Sequence, residues 1–250
     1  MFRLPGRATG NCWHLAVNLM VWILLSAVVA GAAESGCPQH FASGEAPDLI
    51  KKERVRKLRE LCYGVFAVLH SAETKTPMYV AQLLTRSQLE KSAHVPRKNR
   101  FHPEPRLADD ERAELQDYAG SGYDRGHMAP AADMPDEQSQ YESFSLANMV
   151  PQNPGNNRGA WAQLEKAVRN LTQDHGRLYV ITGPIFVHKP EQAGGAVGVP
   201  AYLFKAVLIS DAGDIKAYFV ENKERAQVTE IPVESLEEMV GLRLFPQRNK

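Results

Sequence analysis

The segment "GYDRGHMAPAAD", Gly122 to Asp133, places an aspartate, an arginine and a histidine within four positions. An imidazole has an unperturbed pKa of about 6.5, so near neutral pH it can accept a proton from water. The planar guanidinium of arginine donates paired hydrogen bonds to phosphate oxygens. His127 and Arg125 are therefore a candidate general base and phosphate clamp, and Asp124 is expected to orient them. The alternative is a polar turn that happens to contain a histidine.

A second polar segment, "ANMVPQNPGNN" (residues 147–157), is unusually dense in amide side chains. A Pro-Gly pair breaks the chain there, and Asn156 or Asn157 is a good helix N-cap. The sequence that follows predicts an amphipathic helix within Asn153 to Leu171. The side of this helix that packs into the core is marked by Leu164, Val168 and Leu171.

The predicted helix also has a polar side. Projected at about 100° per residue, Trp161, Glu165 and Arg169 lie about 40°, 80° and 120° from Asn157. One side of the helix therefore presents an amide, then a carboxylate, then a guanidinium. Trp161 is expected to pack in the core. The alternative for Glu165 is an ordinary carboxylate on the helix surface.

The N-terminus has the pattern of a signal peptide. Arg3 and Arg7 precede an apolar stretch, Leu15 to Ala33, that ends in small residues. The stretch is interrupted by Asn18 and is short for a membrane span of about 20 apolar residues. We therefore predict a signal peptide over residues 1–33 and a single domain over residues 34–250. The expected location is the periplasm or the exterior, with no stable membrane partner after cleavage; an uncleaved leader would instead be an N-terminal membrane anchor.

The predicted export also indicates the oxidation state of the cysteines. Cys12 lies inside the predicted leader, which leaves Cys37 and Cys62 as an even pair in an exported chain. Exported proteins keep such pairs oxidised, so a Cys37–Cys62 disulfide is predicted. The alternative is two buried free thiols.

Composition and charge exclude one class of function. The chain has 44% hydrophobic and 23% charged residues, as globular proteins do, and 29 basic residues balance 29 acidic ones. A protein that coats nucleic acid by bulk charge is strongly basic, so a polyanion would have to bind in a local basic cleft. The basic run Lys51 to Arg59 is a candidate nucleic-acid arm. The apolar spacing within Ala46 to Leu61 predicts a short amphipathic helix or turn, and the favoured interpretation of the basic run is a solvated helix face.

Strands dominate the rest of the chain. Two apolar runs, Cys62 to His70 and Met78 to Leu84, are predicted to pair, and Gly176 to Phe186 is a buried strand. The clearest hairpin joins Tyr202–Ser210 to Ile215–Glu221 through the turn "DAGD". The predicted fold class is α+β, with a mainly antiparallel central sheet flanked by helices.

Three blocks, "DRGHMAPAAD", "LANMVPQ" and "NNRGAWAQLE", occur in this order and spacing. Together they closely resemble the DNA/RNA non-specific endonucleases, the endonuclease G-like ββα-metal nucleases. The upstream segment "RKNRFHPEPRL" and the downstream segment "YVITGPIF" also resemble that family. The resemblance extends over most of the chain after the leader and implies a ββα-metal motif at the active site.

The resemblance implies a role for each matching position. It implies that His127 is the general base, that Arg125 contacts phosphate and that Asn157 is the one protein ligand of Mg2+, which Mn2+ can replace. Asn148 matches an active-site asparagine that helps to hold the site and its waters. Glu165 matches a helix carboxylate that accepts a hydrogen bond from metal-bound water.

Two further arginines are implied as substrate contacts. Arg169 matches the arginine one turn after the helix carboxylate. Arg97 is the preferred upstream phosphate contact because it lies four residues before Phe101, as in relatives, and Arg100 is its competitor. Arg97 could equally be a salt-bridge partner.

These matches predict an exported, metal-dependent endonuclease that hydrolyses phosphodiester bonds of DNA and RNA with little sequence specificity. The expected products carry 5′-phosphates, and the expected partners are nucleic acid backbones, with a homodimer left open. One alternative is a catalytically silent nucleic-acid-binding module of the same fold. Another is a phosphodiesterase for small nucleotides.

Overall fold

The computed structural model describes residues 1–2, 35–50, 57–187 and 189–246. Nearly all of the predicted signal peptide, and the basic run from residue 51 to residue 56, lie outside these residues. The chain divides into two compact units, Met1–Gly31 and Ala32–Lys250, and every element below belongs to the second. In the part of the chain that is described, no helix is long and apolar enough to cross a membrane.

Thirteen strands occur in the described residues. They are β1 (Asp48–Leu49), β2 (Leu58–Cys62), β3 (Ala67–Ser71), β4 (Thr76–Thr85), β5 (Asp124–His127), β6 (Met149–Gln152), β7 (Arg177–Ile185), β8 (Gln192–Ala193), β9 (Val197–Gly198), β10 (Tyr202–Ile209), β11 (Ile215–Glu221), β12 (Val228–Ile231) and β13 (Leu242–Arg243). Seven of them form one antiparallel sheet in the order β12-β11-β10-β7-β4-β3-β2. Three two-stranded pairs, β1–β13, β5–β6 and β8–β9, complete the set.

The described helices are short except for one. They are α1 (Arg86–Ser92), α2 (Leu115–Tyr118), α3 (Glu137–Ser143), α4 (Pro154–Asn156), α5 (Ala162–His175) and α6 (Val233–Val240). Helix α5 ends at Gly176, whose positive φ of 80° is a backbone conformation that favours glycine. Helices and an antiparallel sheet confirm the predicted α+β class.

The sheet buries both faces because side chains alternate along each strand. In β4, Val80 belongs to a core shared with Leu164 and Val168 of α5. Its neighbour Ala81 belongs to a second core on the opposite face, shared with Leu236 of α6. The sheet is therefore the middle layer, and α5 packs on the face that also carries the β5–β6 hairpin.

The predicted strand pairing and hairpin are confirmed, although the first predicted strand begins at Ala67 rather than at Cys62, which ends β2. Strands β3 and β4 pair, and β10 and β11 form the hairpin around residues 210–214. The centre of the short helix or turn expected within Ala46 to Leu61, residues 51–56, lies outside the described residues, and Leu58–Cys62 at its end is the edge strand of the sheet. Pairing with β3 and burial of Leu61 outweigh the weak amphipathic pattern.

The predicted disulfide is present. Cys37 and Cys62 are joined, with their Cα atoms 5.7 Å apart. Cys37 is fully buried, and Cys62 ends the edge strand β2. The bond therefore fastens the first described segment of the domain to the sheet.

The long loop from Pro96 to Asp110 is extended and is anchored through a buried carboxylate. Glu104 accepts hydrogen bonds from the Tyr63 hydroxyl, from Ser145 Oγ at 2.9 Å and from Arg106 Nε at 2.6 Å. Burial alone would raise the pKa of Glu104, but these hydrogen bonds outweigh it and lower the pKa to about 2. The loop is thus held to the sheet by an ionised group.

This anchor predicts how stability depends on pH. A carboxyl whose pKa is lower in the folded state stabilises the fold above its unfolded value of about 4.5. That contribution is lost as the pH falls towards 2. We expect Glu104→Gln to lower the unfolding free energy at pH 7 and to flatten its fall between pH 5 and pH 2.5, measured by urea denaturation. Glu90→Gln, at an exposed position on α1, is the control; equal acid sensitivity of Glu104→Gln and wild type would contradict the assignment.

Candidate active site

A hairpin and a helix together build the site. Strands β5 and β6 pair antiparallel with His127 opposite Met149 and Asp124 opposite Gln152. The chain then enters α4, a π-helical turn over Asn157–Trp161 and α5. This order of two strands and a helix is the ββα arrangement expected from the sequence.

Alternation along β5 puts Arg125 and His127 on the same side of the strand. Both side chains contact Phe101 from the long loop. The Arg125 guanidinium carbon lies 4.2 Å from the centre of the Phe101 ring, and the His127 ring lies 5.7 Å from it. The loop therefore orders the two residues that the sequence proposed as clamp and base.

These residues open onto a cavity of about 700 Å3. Five of the predicted site residues line it: Arg97, Arg125, His127, Asn157 and Glu165. Asp124, Arg158 and Tyr118 also line it. The structure thus brings together a histidine, three arginines, an amide and two carboxylates that come from four separate segments of the chain.

The histidine is almost completely buried. Its ring packs edge-on against Phe144, with ring centres 4.9 Å apart, and only 8% of the residue is exposed. Burial, and secondarily the positive charge of Arg97, lowers the pKa of His127 to about 3. Within the described residues its Nε2 atom has no hydrogen-bond partner. The imidazole is therefore neutral at neutral pH, its ring belongs to the cavity lining, and its Nε2 atom is buried without a partner among the described residues.

Asp124 fixes the start of the helical segment. Its carboxylate accepts a hydrogen bond from Asn157 Nδ2 at 2.9 Å, and it accepts two from Arg158 at 2.9 and 2.6 Å. Because the amide nitrogen of Asn157 is committed to Asp124, the orientation of the amide is defined. The remaining atom, Oδ1, is a neutral oxygen available to a cation.

The available oxygen atom of Asn157 suits a hard divalent ion that keeps most of its bound water molecules. Mg2+ prefers oxygen ligands and is commonly held by few protein atoms. Among the described residues, one group of three metal-ligand types lies close enough to share an ion, Cys37, Glu60 and Cys62, and its two sulfurs form the disulfide. In the cavity, an ion would therefore rest on Asn157 Oδ1 and on waters rather than on a closed ligand cage.

Glu165 is the second carboxylate of the cavity. It makes no direct hydrogen bond to another described side chain, so its oxygens can accept from water. Burial raises its pKa to about 7, and the neighbouring charge of Asp133 adds to this effect. The positive charges of Lys205, Arg169 and Arg97 act in the opposite direction.

The upstream arginine is distinguished by position. Arg97 lines the cavity, and its guanidinium carbon lies 5.4 Å from the centre of the Phe144 ring. Its Nε donates to Asn99 Oδ1 at 2.9 Å, and within the described residues it forms no ion pair. Arg100 is not among the residues that line the cavity. The geometry therefore favours Arg97 over Arg100.

Two predicted site residues lie outside the cavity lining. Asn148 is fully buried; it accepts from the Ala129 amide at 2.9 Å and donates to the carbonyls of Ala129 and Ser143. It therefore holds the chain two residues after His127, and both of its amide protons are used. Arg169 donates to buried Asp133 at 3.1 Å, and its role as a direct substrate contact stays a prediction.

The helix starts differently from the prediction. Asn153, rather than Asn156 or Asn157, is the cap, and its Oδ1 accepts from the amides of Gly155 and Asn156. The predicted continuous helix is interrupted at Gly159, whose φ and ψ are −108° and −105°. A uniform rotation of 100° per residue therefore does not apply between Asn157 and Glu165, although both still reach the cavity.

The dense amides have structural roles that sequence reasoning left unexplained. Gln152 Nε2 donates to Asn156 Oδ1 at 2.6 Å, and Asn156 Nδ2 donates to the carbonyl of Glu221. Asn222 in turn accepts from the backbone amide of Asn153 at 2.8 Å. These bonds fasten the irregular helix start to β6 and to the end of β11.

Sequence reasoning also missed three charged residues near the site. Arg158 lines the cavity, and Asp133 and Lys205 are buried beneath it. Of these three residues, only Lys205 could have been noticed in the sequence, because it is the single charged residue in the apolar strand "YLFKAVLIS".

The tight hairpin predicts a steric test. A Cβ atom added to Gly126, between Arg125 and His127, would lie 2.6 Å from Cβ of Gln152. We expect Gly126→Ala to displace Gln152, lower the melting temperature and disorder the cavity. Gly64→Ala is the control, because its added Cβ would make an ordinary contact of 3.4 Å. Equal melting temperatures for the two variants, measured by calorimetry, would contradict this packing.

Comparison with known proteins supports the ββα assignment. Residues 47–250 match the sequence model of the DNA/RNA non-specific endonuclease family. Nuclease 1, mitochondrial, of Schizosaccharomyces pombe is 32% identical over 69% of this chain and 61% of its own length. Nuclease EXOG, mitochondrial, of Xenopus laevis is 34% identical over 74% and 57%. Endonuclease G, mitochondrial, of Bos taurus is 30% identical over 87% and 77%.

The fold is also similar to a solved structure. A chain in the crystal structure of the EndoG/EndoGI complex superposes with a TM-score of 0.64 and 27% identity, covering 80% of this chain and 90% of that one. The present chain spans only 61% and 57% of the length of the first two nucleases above. The family match covers most of the chain and includes every residue of the cavity, and the chain therefore belongs to the DNA/RNA non-specific endonuclease family.

Proposed function

We propose that this protein is a metal-dependent endonuclease that hydrolyses phosphodiester bonds of DNA and RNA with little sequence preference. The observation that carries the proposal is a neutral, buried His127 whose Nε2 has no partner among the described residues, in a cavity shared with Asn157 and two unpaired arginines. A general base must be unprotonated and within reach of a water molecule. The burial of His127 meets the first requirement, and its place at the cavity supports the second.

The arginines suit a substrate that is recognised by its backbone. Arg97 and Arg125 form no ion pair with a described residue, and both guanidinium groups lie over aromatic rings. The Arg125 guanidinium and the two terminal nitrogens of Arg97, whose Nε donates to Asn99, are therefore available to bind phosphate oxygens. Phosphate contacts carry no sequence information, which agrees with low specificity. They also supply a local positive site on a chain whose formal net charge is zero.

A divalent ion, Mg2+ with Mn2+ as an alternative, completes the proposed site. When bound, such an ion neutralises charge on the scissile phosphate and on the departing oxygen. Asn157 would hold it through Oδ1, and Glu165 would accept a hydrogen bond from one of its waters. Asp124 keeps the Asn157 amide oriented, and His127 removes a proton from the attacking water.

The proposed location is the periplasm or the exterior of the cell. The curated relatives above are named mitochondrial. In this chain, support for export comes from the leader pattern of residues 1–33 and from the Cys37–Cys62 disulfide, because disulfides persist in oxidising compartments. Cell fractionation and N-terminal sequencing of the exported protein test this location.

The main competing function is a silent nucleic-acid-binding module. Such a module needs the arginines but has no use for a neutral histidine at the cavity. Incubating the purified protein with plasmid DNA and with single-stranded RNA, with and without Mg2+, separates the two functions. The proposal expects metal-dependent cleavage of both; binding without cleavage of either would overturn it.

The histidine gives the first prediction for this function. His127→Ala should leave nucleic acid binding in EDTA, measured by fluorescence anisotropy, nearly unchanged. Turnover should fall about 10²- to 10⁴-fold, because general-base catalysis is lost. His94→Ala, at an exposed histidine, is the matched control. Wild-type turnover by the His127 variant at saturating substrate would exclude it as the base.

The amide gives the second prediction. Asn157→Ala should raise the Mg2+ concentration needed for half-maximal cleavage and lower the maximal rate. Asn157→Asp keeps an oxygen but adds a negative charge beside Asp124, so it should bind Mg2+ at least as well in calorimetry and still cleave more slowly. The added charge weakens the stabilisation of the transition state by the ion. Full activity of both variants would place the metal elsewhere.

A further inference from the structure

A lysine lies in the interior of the domain, beneath the cavity. Lys205 is on β10, in the middle of the sheet, and only 2% of it is exposed. Its Nζ donates to Thr182 Oγ1 of β7 at 2.7 Å and lies 5.1 Å from the centre of the Trp161 ring. A buried ammonium group is costly unless a negative charge compensates it, so its partner must be near.

Four charged groups share this buried region. Asp133 and Arg169 bind each other directly, at 3.1 Å, which leaves Lys205 and Glu165 as the remaining opposite pair. Trp161, whose ring contacts the ammonium group, lies one turn before Glu165. The ammonium group of Lys205 therefore lies beside the helical turn that precedes Glu165.

Lys205 and Glu165 each shift the pKa of the other towards its charged form. Burial lowers the pKa of Lys205 to about 8, and Glu165 is the largest charge that opposes this effect, followed by Asp133. For Glu165, Lys205 is the largest charge that favours the ionised form, ahead of Arg169 and Arg97. Each group is thus the main counter-charge of the other.

We propose that Lys205 is a positioning residue that keeps Glu165 as a carboxylate facing the cavity. This inference rests on the proposed function, in which Glu165 must accept a hydrogen bond from water and therefore must be ionised. Lys205 does not contact substrate. It acts through Glu165, with Thr182 and Trp161 fixing the ammonium group.

The activity test is the pH profile of Lys205→Met, which keeps the length of the side chain but removes its charge. Without Lys205, Glu165 faces Asp133 with only Arg169 and Arg97 as positive neighbours. We expect the acidic limb of the kcat–pH profile to move up by about 1 unit or more, with partial recovery of turnover at high pH and little change in KM. Lys216→Met, on the neighbouring strand β11, is the control.

A purely structural role would give a different result. It would lower turnover by the same factor at every pH, and that outcome would overturn the proposal. In a Glu165→Gln background, Lys205→Met should have no further effect on the profile, because the group through which Lys205 acts is gone. A profile that still moves in that background would also overturn it.

A second measurement needs neither activity nor a folded Lys205 variant. In the metal-free full chain, the titration of Lys205 is followed by the chemical shift of its 13Cε atom in wild type and in Glu165→Gln. Loss of the counter-charge should lower the midpoint by about 1 unit. An unchanged midpoint would overturn this inference alone, whereas a wild-type protein that cleaves no nucleic acid with Mg2+ or Mn2+ would overturn the proposed function.

Discussion

The junction at Asp124 is the interaction on which the rest of the site depends. Its carboxylate connects the first strand of the β5–β6 hairpin to Asn157 and Arg158 at the start of the helical segment. The hairpin carries the histidine and the helical segment carries the amide, so one carboxylate sets the distance between them. A cap at Asn153 and the bonds of Gln152 and Asn156 hold the same junction from its other side.

Burial has two different consequences around this junction. It lowers the pKa of His127, which keeps the imidazole neutral and also weakens it as a proton acceptor. It raises the pKa of Glu165, which would leave that group protonated and unable to act as an anion unless positive charge were near. Lys205 of β10 and Arg169 of α5, which is paired with Asp133, supply this positive charge. The same low-polarity interior therefore keeps His127 neutral, whereas Glu165 needs nearby positive charge to stay ionised.

Aromatic rings connect this polar site to the core. Phe101 and Phe144 pack edge-on, with ring centres 4.8 Å apart, and between them they contact His127, Arg125 and Arg97. The rings bury much of the histidine and support the arginines through cation–π contacts. Glu104 anchors the loop that carries Phe101, so the electrostatics of the cavity depend on a loop that has no regular secondary structure.

The sequence by itself determined the fold class, one strand pairing and one hairpin of the sheet, the disulfide and the segments that form the cavity. These follow from local patterns, since alternation in β4, a turn between β10 and β11, and a motif around His127 can each be recognised within a few residues. The tertiary structure alone decided which side chains face the cavity. It showed that Asn148 and Arg169 are held by buried partners, that Asn153 caps an interrupted helix, and that Lys205 lies beside the helical turn that precedes Glu165. The physical reason is that hydrogen bonds and charges compete across segments far apart in the chain, and no local pattern records the outcome of that competition.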